Sequence, residues 1–280
     1  MPTKRRVERM TEAAQPKPPI HILEADDPRV EAYRSLRERD AVGRRQGFIA
    51  EGATVLVNAI RAGRYPLRSV LLSQKRHARL ADLLEALQPD VPVYVADQPV
   101  LDAICGFDLH RGVLALGARP ILPDPGELLA GMAERSTVVC LIGINDVENM
   151  GSIFRNAAAL GAQGVLLDDS CCDPLYRRAI RVSVGACLTV PFARFAGGDL
   201  LELLAHHRFQ PLAFTPAGST SLKGVEPSVR NALLFGAEGP GLPPDLLAGA
   251  ATVRIPMAGG FDSLNVAAAS AIALHHLIDN

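Results

Sequence analysis

The sequence predicts a two-part α/β protein: a mostly parallel sheet wrapped by helices over residues 134–280, preceded by a small α/β domain over residues 26–118. Three observations predict it. Strand-length apolar runs alternate with helical stretches along most of the chain. Several runs, "TVVCLIGI" above all, are apolar at every position, as expected of strands covered on both faces. The alternation breaks once, at "PILPDPGELLAGMAERS", where prolines cluster, so residues 119–133 read as a linker.

The chain opens on "MPTKRRVERMTEAAQPKPP", which is basic, contains prolines and lacks an apolar signal core. Residues 1–25 are expected to form a disordered tail. "DPRVEAYRSLRERDAVGRRQG" predicts a polar, Arg-rich helix ending at Gly43 or Gly47. "FIAEGATVLVNAIRAG" predicts a strand and then a helix closed by Gly63. "LRSVLLS" reads as a buried strand, "HARLADLLEALQ" as a helix, "VPVYVA" as a strand and "LHRGVLALGAR" as the last strand of the front domain.

Beyond the linker, "TVVCLIGI" leads into a helix over 149–160. "GVLLDD" is a strand, "DPLYRRAIRVSVGA" a helix with Pro174 near its first turn, and "LTVPF" a strand. "GDLLELLAHHRF" is a helix between "LTVPF" and the strands "QPLAFT" and "NALLFG". "ATVRIPM" is a late strand and "SLNVAAASAIALHHLI" the closing helix. Such sheets bind small ligands outside the carboxyl ends of their strands.

Composition narrows the function classes. The chain is 48% hydrophobic and 21% charged, with no Trp, so any base stacking falls to a few Tyr, Phe or Arg planes. Residues 1–120 hold 19 Lys/Arg against 15 Asp/Glu, and residues 121–280 hold 10 against 15. A nucleic acid would therefore meet the front half first, although a solvated surface explains the same numbers. The five cysteines (Cys105, Cys140, Cys171, Cys172, Cys187) lack C-x-x-C spacing and read as reduced core residues of a cytoplasmic protein, with no metal site. No apolar run reaches membrane-spanning length, so no membrane partner is expected.

Three loops at strand C-termini stand out. In "NDVENMGSIFRN", Asn149 is a good N-cap and Gly151 permits close backbone approach. Ile153, Phe154, Ala157 and Ala158 share a face that should pack on the sheet. Arg155 falls about 100° from Phe154 and should emerge beside the loop. In "LLFGAEGPGLPPDLL", Gly236, Gly239 and Gly241 surround Glu238. The spacing is neither the dinucleotide pattern nor a P-loop, and a carboxylate there repels pyrophosphate. The loop reads as a backbone cradle for a ligand poor in phosphate. In "RIPMAGGFDSLNVAAASAIAL", Ser263 and Asn265 precede a strongly apolar helix, with Ser263 placed as its N-cap.

In this order and at these separations, the three loops resemble the signature motifs of the SpoU/TrmH-type RNA 2′-O-ribose methyltransferases of the SPOUT superfamily. "NMGSIFRNAAALGA", "LLFGAEGPGLP" and "IPMAGGFDSLNVAAASAIAL" carry the resemblance over roughly 134–280. "FIAEGATVLVNAI" and "HRGVLALGA" are similar to the substrate-binding domain that many members carry in front, which resembles a small ribosomal protein. The resemblance implies S-adenosylmethionine as cofactor, a C-terminal trefoil knot and a homodimer acting on structured RNA, ribosomal or transfer. It implies a catalytic site shaped by Asn149, Arg155, Glu238, Ser263 and Asn265. It implies cofactor contacts at Gly236, Ile255 and Leu264, with Thr215 and Gly241 beside them. Arg181 on the following helix and Arg111 after His110 are the candidate RNA contacts. The competing expectation is an RNA-binding protein that kept the fold and lost the chemistry. A nucleotide-dependent oxidoreductase fails on the absent glycine pattern.

Overall fold

Two sheets organise the protein. In the computed structural model, residues 18–34, 47–119, 121–196, 198, 200–258 and 263–277 are described. Most of the expected tail and the Arg-rich helix beyond residue 34 lie outside the described residues. A 3-10 turn at Pro28–Tyr33, capped by the Asp27 carboxylate, stands where that helix was to begin.

The front sheet is built from β1 (Ile20–Ile22), β2 (Phe48–Glu51), α1 (Ala53–Ala62), β3 (Leu67–Ser73), α2 (Gln74–Arg79), α3 (Ala81–Leu84), β4 (Val93–Ala96), α4 (Gln98–Cys105) and β5 (Val113–Gly117). The strand order is β1-β4-β3-β5-β2, with β5 antiparallel to both its neighbours. Gly63 ends α1 at φ 60°, a left-handed conformation that glycine adopts without a Cβ penalty. The single helix expected over "HARLADLLEALQ" is two short ones that meet at Leu80, whose φ of −113° leaves the helical region. Two elements were not expected. β1 has only three residues, too few for a period to register. The helix α4 follows Asp97, carries a Pro in its first turn and closes on left-handed Gly106.

The second sheet is built from α5 (Pro125–Ala130), β6 (Ser136–Ile142), α6 (Val147–Leu160), β7 (Gly164–Asp168), α7 (Arg177–Val182), β8 (Phe192–Phe195), α8 (Leu200–His206), β9 (Gln210–Phe214), β10 (Thr220–Ser221), β11 (Arg230–Gly236), α9 (Pro244–Gly249), β12 (Ala251–Arg254) and α10 (Val266–Leu277). Its order is β10-β12-β9-β11-β6-β7-β8, and every pairing is parallel. All seven residues of β6 are buried: Val139 and Leu141 face one core cluster, Val138 and Cys140 the other. That is the covered strand the sequence predicts.

The proline-rich stretch is not all connecting chain. Asp124 caps α5 by accepting from the Gly126 and Glu127 amides, and Leu129 is fully buried under the second sheet. The helix α7 is shorter than "DPLYRRAIRVSVGA". Asp173 accepts from the Leu175 amide and holds Pro174 in a turn ahead of it. The strand expected at "LTVPF" starts only at Phe192, because Ala186–Leu188 forms a 3-10 turn. Among the described residues, no helix is long and apolar enough to cross a membrane.

The two sheets share a tight seam. Val55 and Leu56 of α1 belong to the same apolar cluster as Ala186 and Cys187. Asn58 donates to the Val184 carbonyl at 2.8 Å, and Arg119 pairs with Asp173. At the centre, Glu51 meets Arg177 at 2.5 Å, with their side chains 6% and 10% exposed. Arg177 also lies over the Phe107 ring, 5.1 Å from its centroid. Removing one partner of a buried ion pair strands the other charge. Glu51→Ala is therefore expected to cost about 3 kcal/mol in a urea titration, and Glu51→Leu combined with Arg177→Met to recover most of it.

All five cysteines are buried free thiols. Burial pushes Cys172 up to about 11, and Cys105, Cys171 and Cys187 up to about 12, from an ordinary 9.0. A raised acid pKa means that the folded state favours the neutral thiol. The associated stability is complete below pH 9 and is lost as pH rises from 9 through 11–12. Urea midpoints measured at pH 8 and pH 10.5 are expected to fall across that interval, with thiol reactivity toward a disulfide reagent appearing in parallel.

Candidate active site

The carboxyl ends of β6, β11 and β12 bring the three singled-out loops together. The first leaves β6 through Gly143, at φ 70°. A Cβ added there would sit 3.3 Å from the Ala237 Cβ, so the first and second loops touch. Asp168 accepts from the Gly143 amide at 3.1 Å and from the Cys171 amide at 2.9 Å, which fixes the exit from the strand. Asp146, not Asn149, caps α6: its carboxylate accepts from the Asn149 amide at 2.7 Å. Asn149 is the third residue of the helix, which frees its side chain for tertiary contacts. The sign was legible as an aspartate three residues ahead of Asn149.

The second loop folds back on itself. Gly241 donates to the Ala237 carbonyl at 3.0 Å, and Gly239 and Gly241 have φ of 90° and 70°. At Gly236 a Cβ would lie 2.2 Å from the Gly241 carbonyl carbon. Only a hydrogen fits there.

In the third loop, Asn265 rather than Ser263 caps the closing helix. Its Oδ1 accepts from the Ala267 and Ala268 amides at 2.9 and 3.3 Å. This orients the amide, because the nitrogen must then face the other way. The Asn265 Nδ2 donates to Asn149 Oδ1 at 2.8 Å and to Glu238 Oε1 at 3.0 Å. Asn149 Nδ2 donates to the same carboxylate oxygen at 3.1 Å. One acceptor-only group therefore ties one side chain from each loop into a closed triangle.

The triangle borders a cavity of about 640 Å³. Phe214 and Phe235, stacked at 4.8 Å, line it together with Val253. Gly236, Ile255, Leu264, Thr215 and Gly241 all line it, as do Glu238, Ser263 and Asn265. Asn149 reaches it through the triangle.

Arg155 stands apart from the cavity lining. It is exposed on α6 and makes no hydrogen bond or ion pair with any described residue. Ile153, Phe154 and Ala157 are buried beside it as expected, but Ala158 is exposed, so the packed face is narrower than the sequence suggests. The neighbouring Asn156 went unnoticed in the sequence. Its Nδ2 donates to the Ala267 carbonyl at 2.7 Å and to Ser270 Oγ at 3.0 Å, lashing α6 to the first turn of α10.

Arg181 and Arg111 lie elsewhere. Arg181 stands 3.6 Å from Glu51 at the domain seam, and Arg111 lies exposed over Gly52. Neither lines the cavity.

A parallel sheet with glycine-bearing loops closing a cavity at its carboxyl edge, behind a smaller α/β domain, defines an RNA methyltransferase once two family models are laid on the chain. The model described as the SpoU rRNA methylase family matches residues 136–275, and that described as RNA 2′-O ribose methyltransferase substrate binding matches residues 49–120. The chain belongs to the SpoU rRNA methylase family.

It is similar to an uncharacterized tRNA/rRNA methyltransferase of Mycobacterium tuberculosis, 41% identical over 265 residues covering 91% of this chain and 90% of the relative. It is 33% identical over 195 residues to the 23S rRNA (adenosine(1067)-2′-O)-methyltransferase of Streptomyces azureus, covering 68% of this chain and 71% of that one. Among solved structures, the AdoMet-bound rRNA methyltransferase of Sinorhizobium meliloti superposes with a TM-score of 0.77 at 27% identity, over 92% of this chain and 97% of that one.

Proposed function

We propose that the protein transfers the methyl group of S-adenosylmethionine to a ribose 2′-hydroxyl of structured RNA, and that this RNA is ribosomal. The observation that carries the reading is the Asn149–Glu238–Asn265 triangle, which gathers three distant loops around one cavity. The Streptomyces azureus relative, named for 2′-O-methylation of 23S rRNA, supports the ribosomal choice over transfer RNA.

The cavity suits the cofactor. Its volume of about 640 Å³ accommodates a nucleoside with an amino-acid tail. Ile255 and Leu264 offer apolar faces for a base. The Gly236–Gly241 bend, too tight for a Cβ, presents backbone to a ligand without pyrophosphate. When bound, the cofactor supplies an electrophilic methyl group.

The chain's own residues do the rest. Glu238 holds the Asn149 and Asn265 amides fixed, so the loops that flank the reacting ribose do not reorganise during transfer. Ser263 offers a hydroxyl at the cavity wall. Arg155, with its guanidinium free, meets the phosphate beside the target ribose and stabilises negative charge developing on the 2′-oxygen, whose proton passes to solvent water as the oxygen takes the methyl group and a neutral thioether leaves. A guanidinium offers five N–H donors and no acceptor, which favours this role over that of base. Aligning the hydroxyl contributes several kcal/mol of its own.

The same reading gives the chain a trefoil knot at its C-terminal end, homodimeric assembly and a cytoplasmic place of work. Exposed Ile272, in a groove lined also by Leu160, Ile255 and Ala271, supports the dimer.

The test is a map of 2′-O-methyl sites in total RNA from cells with and without the gene. One ribosomal site is expected to vanish; loss of a tRNA site reassigns the substrate, and no loss overturns the function. Calorimetry with S-adenosylmethionine is expected to show binding at one site per chain, and silence would favour a non-catalytic RNA-binding protein.

A further inference from the structure

We propose that a basic track crossing the domain seam carries the RNA backbone to the catalytic loops, its phosphates held by Arg76 and Arg111 of the front domain and by Arg181 and Arg178 of α7. This rests on the methyl-transfer reading and adds where the strand lies.

The track is traced contact by contact. It starts on α2, whose sequence QKRHAR holds no acid. The Arg76 stem lies against Gly112: a Cβ there would be 3.5 Å from Arg76 Cγ. The preceding residue is Arg111, exposed, with Nη1 3.3 Å from the place a Gly52 Cβ would take. Gly52 follows Glu51, and across the seam the Arg181 Nη1 stands 3.6 Å from Glu51. One turn back on α7, Arg178 pairs with Glu148. Glu148 precedes Asn149, so the string of guanidinium groups ends on the helix turn of α6 that carries Asn149.

The charges along it are not spent. Glu51 is neutralised by the close, buried Arg177, which leaves Arg181 surplus. At 3.6 Å the Arg181 contact is too long for a hydrogen bond, and the side chain is 38% exposed. Arg111 has no ion-pair partner among the described residues. The Arg178–Glu148 pair is more than half exposed on both sides, where water and salt weaken it. Its guanidinium can exchange a carboxylate for a phosphate that offers the same two-oxygen geometry. A row of such groups suits a repeating anion rather than a single one. It joins two domains whose relative position the seam fixes.

The experiment measures binding and methylation of in-vitro transcribed 23S rRNA by the full-length protein, for Arg76→Glu, Arg111→Glu, Arg181→Gln and the triple variant. Arg208→Asn is the control. It removes one positive charge just ahead of the amino end of β9, away from the strand carboxyl ends that carry the site, and asparagine tolerates the left-handed φ of 59° there. Thermal melts establish that each variant is folded.

Each track substitution is expected to raise the RNA KM about tenfold, as for loss of a phosphate contact, and to reduce the slope of log affinity against log salt by about 0.7–0.9. S-adenosylmethionine affinity and turnover at saturating RNA stay within about twofold. Arg208→Asn changes neither KM nor slope. A triple variant with the KM and salt slope of the unmodified protein overturns the track while leaving methyl transfer standing. A protein that binds RNA along these residues but methylates none keeps the track and loses the proposed function.

Discussion

Arg155→Ala is expected to lose about 100- to 1,000-fold in kcat, roughly 3–4 kcal/mol of transition-state stabilisation, while S-adenosylmethionine binds with unchanged affinity. The split follows from position. Arg155 is exposed on α6, outside the cavity lining, and no described residue depends on it for a hydrogen bond or ion pair. Its loss therefore costs the fold little and the cofactor nothing. Single-turnover methylation read beside calorimetry checks both halves. A variant that methylates at the normal rate removes Arg155 from the mechanism. Arg155→Lys separates charge from geometry: a point charge retains part of the electrostatic effect but not the planar two-pronged grip.

Gly236→Ala is expected to be as damaging for a different reason. The new methyl would lie 2.2 Å from the Gly241 carbonyl carbon and 2.4 Å from the Leu242 nitrogen. Both are backbone atoms, so no side chain can swing aside. Overpacking of this kind costs about 3 kcal/mol of stability. Displacement of the bend transmits to the cavity it lines, with an expected loss of about 100-fold in S-adenosylmethionine affinity, equivalent to about 2.7 kcal/mol. Gly239→Ala is the comparison. Nothing lies within 4 Å of its Cβ position, and it carries only the strain of a φ of 90°. Its melting temperature and affinity are expected to move much less. Equal damage from the two substitutions would show that backbone conformation, not the close approach at Gly236, limits the loop.

The sheet that carries the site was legible because its strands are buried on both faces. The continuous apolar runs of β6 and β11 have no other comfortable place in an α/β protein. β1 was not, because three residues cannot establish a period. The start of α7 was misjudged because Asp173 turns the chain before the helix begins.

The loop residues around the cavity were legible as motifs, but their partners were not. Asn149 and Glu238 are 89 positions apart, and Glu238 and Asn265 are 27 apart. Nothing local says that one carboxylate serves both amides. The caps were misassigned for a local reason: Asp146 and Asn265 compete with Asn149 and Ser263 a few positions away, and each of the former takes the helix amides. Nothing in the sequence of α7 sets Arg177 apart from Arg181. Glu51, more than 120 residues upstream, buries one and leaves the other over.

The clamped join between the domains turns the molecule into a measuring gauge. With Glu51, Arg177 and Asn58 bolting one half to the other, the span between whatever landmark the front half grips and the sugar presented behind it is a constant of the protein, not of its connecting chain. Under the proposed function, choice of nucleotide then becomes a matter of length: a site is expected to be accepted when it lies at that span from the landmark. Extra residues spliced in near residue 121 should leave the modified position where it was, whereas loosening the bolts should smear it over neighbouring nucleotides.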